Sequence, residues 1–161
     1  MLVTEDEYKT LKALYQNTNG DDWKYNGGWR EWDFNSTTPP SYGTIDSWYG
    51  IALETQFNYA SINIIDLDNN NLTGEIPKEL GNLYNLKYLR LNNNNLTGEI
   101  PKGLGNSSKL KSLSLNNNNL TGEIPKELAN SGILEYIYLN NNNLTGEIPK
   151  ELGKYPLSKL G

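Results

Sequence analysis

Apolar residues recur through the second half of the chain at offsets that repeat every 24 residues. Ile62, Ile65, Leu67 and Leu72 are followed by Leu86, Leu89, Leu91 and Leu96, then by Leu110, Leu113, Leu115 and Leu120. The last set is Leu134, Ile137, Leu139 and Leu144. Within each set apolar and polar residues alternate with period two, which predicts a short strand with one face turned inward. Strands stacked about 4.8 Å apart make a parallel sheet, the concave face of a solenoid. Four copies of Asn-Leu-Thr-Gly-Glu-Ile-Pro, starting at Asn71, Asn95, Asn119 and Asn143, mark the period. Their Thr-Gly-Glu-Ile-Pro portions predict a second extended segment with Ile76, Ile100, Ile124 and Ile148 facing in. The residues that follow predict one helical turn on the convex side, ended by Gly81, Gly105 and Gly153, with Ala129 in the third copy.

The first 60 residues follow another pattern. Thr4-Glu5-Asp6-Glu7 is a capping box, and Tyr8, Leu11, Leu14 and Tyr15 then fall on one face of a helix that Asn19-Gly20 ends. A turn-rich stretch follows with Trp23, Tyr25, Trp29, Trp32, Phe34, Tyr42, Trp48 and Tyr49. Stacked aromatics can serve as a sugar platform, but the first coil of a solenoid also needs its open apolar end covered. The capping role is the expectation. Residues 1–60 are thus expected to form the cap, and 61–161 the repeats, the last one incomplete.

One polar column recurs as strictly as the leucines. Asn70, Asn94, Asn118 and Asn142 follow the strands where the chain turns, and a buried amide there can bond the backbone of its own and the adjacent turn. These asparagines are read as a structural ladder.

The series Leu-x-x-Leu-x-Leu-x-x-Asn-x-Leu-Thr-Gly-x-Ile-Pro-x-x-Leu-Gly, carried by residues 62–155, resembles the plant-specific class of leucine-rich repeats. Ala13-Leu14-Tyr15, Asn19-Gly20-Asp21-Asp22-Trp23 and Trp48-Tyr49-Gly50-Ile51 look like that family's amino-terminal cap. The plant cap normally carries a cysteine pair, absent here, and cysteine-free caps resemble those of microbial members. The resemblance implies a right-handed α/β solenoid of four to five repeats. It also implies a role in extracellular perception, adhesion or inhibition of a foreign enzyme, hence an extracellular or cell-surface location.

Composition narrows the chemistry. The chain has no Cys and no His, which removes disulfides, thiolate nucleophiles, Ser-His-Asp triads and zinc sites of the usual kind. No enzyme activity, cofactor or metal is therefore expected. Asp66, Asp68 and Asn69 lie close together but fit no calcium-loop spacing. Residues 1–60 carry nine acids and four bases, whereas residues 61–161 carry ten of each, so the net charge of −5 sits in the cap. No basic stripe offers itself to nucleic acid, and no apolar run is long enough to span a bilayer. Met1-Leu2-Val3-Thr4 has neither a charged n-region nor an apolar h-region, so no signal peptide is expected there.

Comparing the copies separates scaffold from information. The outward strand columns vary most: Ile64, Tyr88, Ser112 and Tyr136 in one, Asp66, Arg90, Ser114 and Tyr138 in the next. Asp68, Asn92, Asn116 and Asn140 extend the same face, while Asn63, Lys87, Lys111 and Glu135 mark the strand entry. Tyrosine and arginine dominate binding energy at interfaces, so a protein or peptide partner on the concave face is expected. Three other features carry alternatives. The chain ends about where a fifth strand begins, without a recognisable carboxy-terminal cap, so either the protein continues or the edge pairs with another copy. Thr73, Thr97, Thr121 and Thr145 form a regular row that ice or carbohydrate binding would use, although support of the second sheet explains them more simply. Asn-x-Ser/Thr acceptors for glycosylation occur at Asn35, Asn71, Asn95, Asn106, Asn119 and Asn143, four of them by-products of the repeat.

Overall fold

The computed structural model describes residues 3–36, 38–56, 59–154 and 159–160. Helix α1 spans Glu5–Asn17 and opens with the expected capping box: Thr4 accepts from the Glu7 N–H, and Glu7 accepts from the Thr4 N–H at 3.0 Å. The second carboxylate oxygen of Glu7 reaches the buried N–H of Ile62 at 3.0 Å. Thr10 donates from its hydroxyl to the Glu79 carbonyl at 2.9 Å. Glu7 and Thr10 thus tie α1 to the first repeat. A short helix, α2, covers Tyr42–Ile45.

Tyr8, Tyr15, Trp23, Trp29, Phe34 and Trp48 are buried in one cluster continuous with the repeat leucines. Trp29 lies 4.9 Å from Trp48 and 5.0 Å from Trp23 between ring centroids, the tilted and edge-on contacts that aromatic rings favour. These rings pack into the same cluster as the repeat residues Ile62, Ile65 and Leu67.

The strands are β1 (Ile51–Gln56), β2 (Tyr59–Asp66), β3 (Thr73–Glu75), β4 (Tyr88–Arg90), β5 (Asn95–Thr97), β6 (Ser112–Ser114), β7 (Tyr136–Tyr138) and β8 (Lys159–Leu160). The main sheet runs β1-β2-β4-β6-β7-β8, parallel from β2 onward, with Ile65, Leu89, Leu113 and Ile137 in register. β1 is antiparallel to β2, with a register shift between Ala52 and Leu53. That hairpin was not foreseen: the repeat pattern begins at Ile62, but the strand begins at Tyr59 and has a partner in the cap.

The second extended segment forms ladder pairs only between β3 and β5, with single bridges Glu99–Thr121 and Glu123–Thr145 farther along. Thr97, Thr121 and Thr145 donate from their hydroxyls to Gly74, Gly98 and Gly122 carbonyls one coil back, which is the supporting role expected of them. Ile76 and Ile100 are buried, but Ile148 is 58% exposed, contrary to the inward reading. Ile124 is half-buried, so the cover over this column declines along the array.

The convex turns are tight 3-10 turns at Lys78–Asn82, Lys102–Asn106, Lys126–Ser131 and Lys150–Lys154. Gly81, Gly105 and Gly153 lie inside these turns and do not end them. A side chain at Gly81 would meet the Gly103 carbonyl oxygen at 2.6 Å, and one at Gly105 would run into the Glu127 carbonyl. Glycine is there to let neighbouring coils touch. The segment read as lacking a carboxy-terminal cap, and the Met1-Leu2 start, lie largely outside the described residues.

Candidate functional site

The concave face is built by strand register. Ile64, Tyr88, Ser112 and Tyr136 form one row across the sheet, and Asp66, Arg90, Ser114 and Tyr138 form the next. All eight positions therefore come together on one surface. Alternation puts them opposite the buried residues Ile65, Leu89, Leu113 and Ile137, which hold each strand from beneath. Burying a side chain of that size contributes about 1.5–3 kcal/mol, so the face is held rigidly.

The relief of the two rows is uneven. Ser112 and Ser114 are each only 8% exposed. Their short side chains form a floor between Tyr88 and Arg90 on one side and Tyr136 and Tyr138 on the other. The two walls stand two strands apart, about 10 Å at the usual strand spacing. The result is a slot with hydroxyls at its base and aromatic walls.

Arg90 is fixed in place. Its guanidinium donates to Asp66 Oδ2 at 2.8 Å and lies 5.8 Å from the Tyr88 ring centroid. The Asp66–Arg90 pair is exposed and adds little to stability, on the order of 0–1 kcal/mol. Its effect is to hold the arginine with donors left over for a partner. At the strand entry, Lys87 meets Glu54 of β1 at 2.7 Å, and this hydrogen bond holds the Glu54 carboxyl below its ordinary range.

Asp68 is likewise committed within the chain, accepting from Asn92 and Asn93 at 2.8 Å each. With Asp66 bound to Arg90, the acidic pair has structural partners. Among the described residues no group of three or more acids could hold a metal ion.

The asparagines that follow the strands bond backbone groups of neighbouring turns. Asn94 Oδ1 accepts from the backbone N–H groups of Asn70 and Leu72, and its Nδ2 donates to the carbonyls of Leu67 and Leu91. Asn118 and Asn142 keep the donor half of this arrangement one and two coils on, but each accepts a single backbone N–H, from Leu96 and Leu120. Asn70 turns to the cap instead, exchanging bonds with the backbone of Tyr25.

A second asparagine column was missed. Asn69, Asn93, Asn117 and Asn141 sit in the left-handed region, with φ between 50° and 58°, where asparagine is tolerated better than most residues. Asn141, Asn117 and Asn93 donate in series along the surface, ending on Asp68. The signal was present: an exposed column repeated without change needs a backbone reason. The six acceptor asparagines for glycosylation, Asn35, Asn71, Asn95, Asn106, Asn119 and Asn143, are all exposed.

A family model described as Leucine Rich Repeat matches residues 61–83, 85–107, 109–131 and 134–155. No curated protein matches the sequence. Among solved structures, the chain is similar to the LRR ectodomain of the plant membrane receptor kinase GASSHO1/SCHENGEN3 from Arabidopsis thaliana, in complex with CASPARIAN STRIP INTEGRITY FACTOR 2. The TM-score is 0.73 and the identity 31%, over 96% of this chain and 17% of that one. The Arabidopsis receptor kinase HAESA, in complex with the peptide hormone IDA and the co-receptor SERK1, is similar at TM-score 0.54 and 44% identity, over 56% of this chain and 15% of that one. The BIR2 ectodomain from Arabidopsis thaliana gives a TM-score of 0.57 at 26% identity, over 92% of this chain and 86% of that one. The chain therefore spans only a small part of the first two of these chains. No helix among the described residues is long and apolar enough to cross a membrane.

Proposed function

Because this chain belongs to the leucine-rich-repeat family, we propose that it is a non-catalytic recognition module that takes a protein or peptide on its concave face. The observation that carries this reading is the slot floored by Ser112 and Ser114 and walled by Tyr88, Arg90, Tyr136 and Tyr138. Aromatic walls supply contact area at low conformational cost, and the serine hydroxyls and spare Arg90 donors suit the polar backbone of an extended segment. Peptide and co-receptor complexes of similar solved structures support the class of partner. Those structures are ectodomains of membrane receptors, which supports an extracellular or cell-surface setting. The cysteine-free cap, held by stacked aromatic rings and by Glu7, is read as of the microbial type.

The test is selection of peptides from a displayed random library on the purified chain, followed by replacement of Tyr88, Tyr136 and Tyr138 with Ala. Selected peptides that lose binding to a folded triple variant support the concave site. Peptides that bind the variant equally well overturn it.

A second reading concerns copies of the chain. The 58% exposed Ile148 lies beside Leu139, Leu144 and Leu152 in a mostly apolar hollow, and a second copy seated there would self-associate. Light scattering across a concentration range separates the two: constant monomer mass removes self-association, and mass rising with concentration brings it forward.

A further inference from the structure

On the strand-entry side, away from the serine floor, a cleft of about 510 Å³ opens between the start of α1, the β1–β2 hairpin and the loops that lead into β4 and β6. Its volume falls within the roughly 300–1,000 Å³ of small-ligand sites. Two tyrosines stand in its walls, Tyr59 at 76% and Tyr84 at 59% exposed, the highest values among the exposed large hydrophobic side chains described. In the repeat register Tyr84 corresponds to Ser108 and Gly132, so the ring is particular to the coil next to the cap. The scaffold does not require it.

Much of the polar lining is engaged in hydrogen bonds within the chain. Glu54 is paired with Lys87 at 2.7 Å, and Glu7 is spent on Thr4 and Ile62. Lys109 donates to Asn85 Oδ1 at 2.7 Å, which leaves the Asn85 amide group to donate outward. Asn82, Ser61 and the two phenol hydroxyls complete a set of neutral donors and acceptors. A phosphate would need uncompensated cations here, and a basic side chain would need uncompensated carboxylates. The lining offers Lys109 as its one cation, and of its carboxylates Glu54 is paired with Lys87 and both oxygens of Glu7 are taken by Thr4 and Ile62.

Two exposed aromatic faces beside planar amides and hydroxyls have a specific complement. Sugar rings present C–H faces that pack on aromatic faces, and their hydroxyls donate and accept at once, which amides and phenols match. We propose that this cleft is a binding site for a neutral oligosaccharide, with Tyr59 and Tyr84 as stacking platforms and Asn82 and Asn85 bonding ring hydroxyls. The site is independent of the concave slot, so the chain carries two recognition surfaces.

The experiment is isothermal titration of the full chain with cellotetraose, mannotetraose and N-acetylchitotetraose. Saturable binding of at least one is expected, weakened about tenfold or more by Tyr59→Ala and by Tyr84→Ala, as loss of one stacked ring implies. Both variants should keep the wild-type thermal midpoint, because both rings are exposed. Tyr138→Ala should leave the affinity unchanged, as should raising sodium chloride from about 0.05 to 0.5 M, since a neutral ligand offers no charge to screen. No saturable binding to any of the three sugars overturns the proposal. So does binding that is lost in Tyr138→Ala but kept in Tyr84→Ala, which would assign the sugar to the concave slot. Strong salt dependence would overturn the neutral-ligand assignment.

Discussion

The amide oxygen of Asn94 lies 2.9 Å from the backbone N–H of Leu72, a residue of the preceding coil. The same oxygen takes the N–H of Asn70 at 3.0 Å, and the Nδ2 group bonds carbonyls on both coils. One side chain thus satisfies buried backbone groups of two successive turns. Replacing Asn94 by Ala leaves those groups unpaired and is expected to cost about 1–3 kcal/mol. Asn142 accepts only from Leu120 and is half-buried, so Asn142→Ala should cost less. Urea unfolding of the two variants checks the order, and equal losses would contradict it.

Glu7 bridges the cap and the first repeat strand. Glu7→Ala removes the acceptor of the buried Ile62 N–H along with the capping box, and a loss of about 1–3 kcal/mol is expected. Glu7→Gln keeps an acceptor oxygen and should recover part of that loss. Urea titrations of both variants measure the difference.

The glycine column separates by contact. Gly81→Ala drives a methyl group into the Gly103 backbone of the next coil and should destabilise by about 1–3 kcal/mol. At Gly153 nothing described lies within 4 Å of an added Cβ, so Gly153→Ala should fall within about 0.5 kcal/mol of wild type. If the two variants lose stability equally, glycine serves the turn's own conformation and not the stacking of coils.

Tyr15 links the cap core to alkaline pH. Burial, and the hydrogen bond that its hydroxyl donates to Asp21 at 2.7 Å, hold its ionisation well above the ordinary tyrosine value. The folded state therefore keeps a proton that the unfolded chain gives up near pH 10. This contribution is fully present below about pH 10 and shrinks as pH rises beyond it. Thermal midpoints should fall as pH rises from about 10 to 12, and Tyr15→Phe should flatten that part of the profile while lowering stability at neutral pH. An unchanged slope in the variant would exclude Tyr15 as the cause.

Sequence alone determined the coil. A 24-residue period with leucines alternating along each strand leaves one arrangement that buries them all, and the asparagine after each strand answers the backbone accounting that the turn creates. The capping box was equally legible, since its two partners are three residues apart. These are local or strictly periodic relations, and a sequence displays both.

What only the tertiary structure decided involves contacts without a period. The β1–β2 hairpin places cap residues in the repeat sheet, and Glu7 reaches Ile62 across 55 positions. Gly81 looked like a helix stop until the neighbouring coil stood against it, and Ile148, which the pattern turns inward, stands exposed. Strand register brought Ser112 and Ser114 between tyrosines from coils on either side, which turned two columns of letters into a slot with a floor and walls. The cleft around Tyr59 and Tyr84 joins a helix start, a hairpin and two loops. Relations of that kind depend on how distant segments pack, and no residue announces them by its neighbours in the chain.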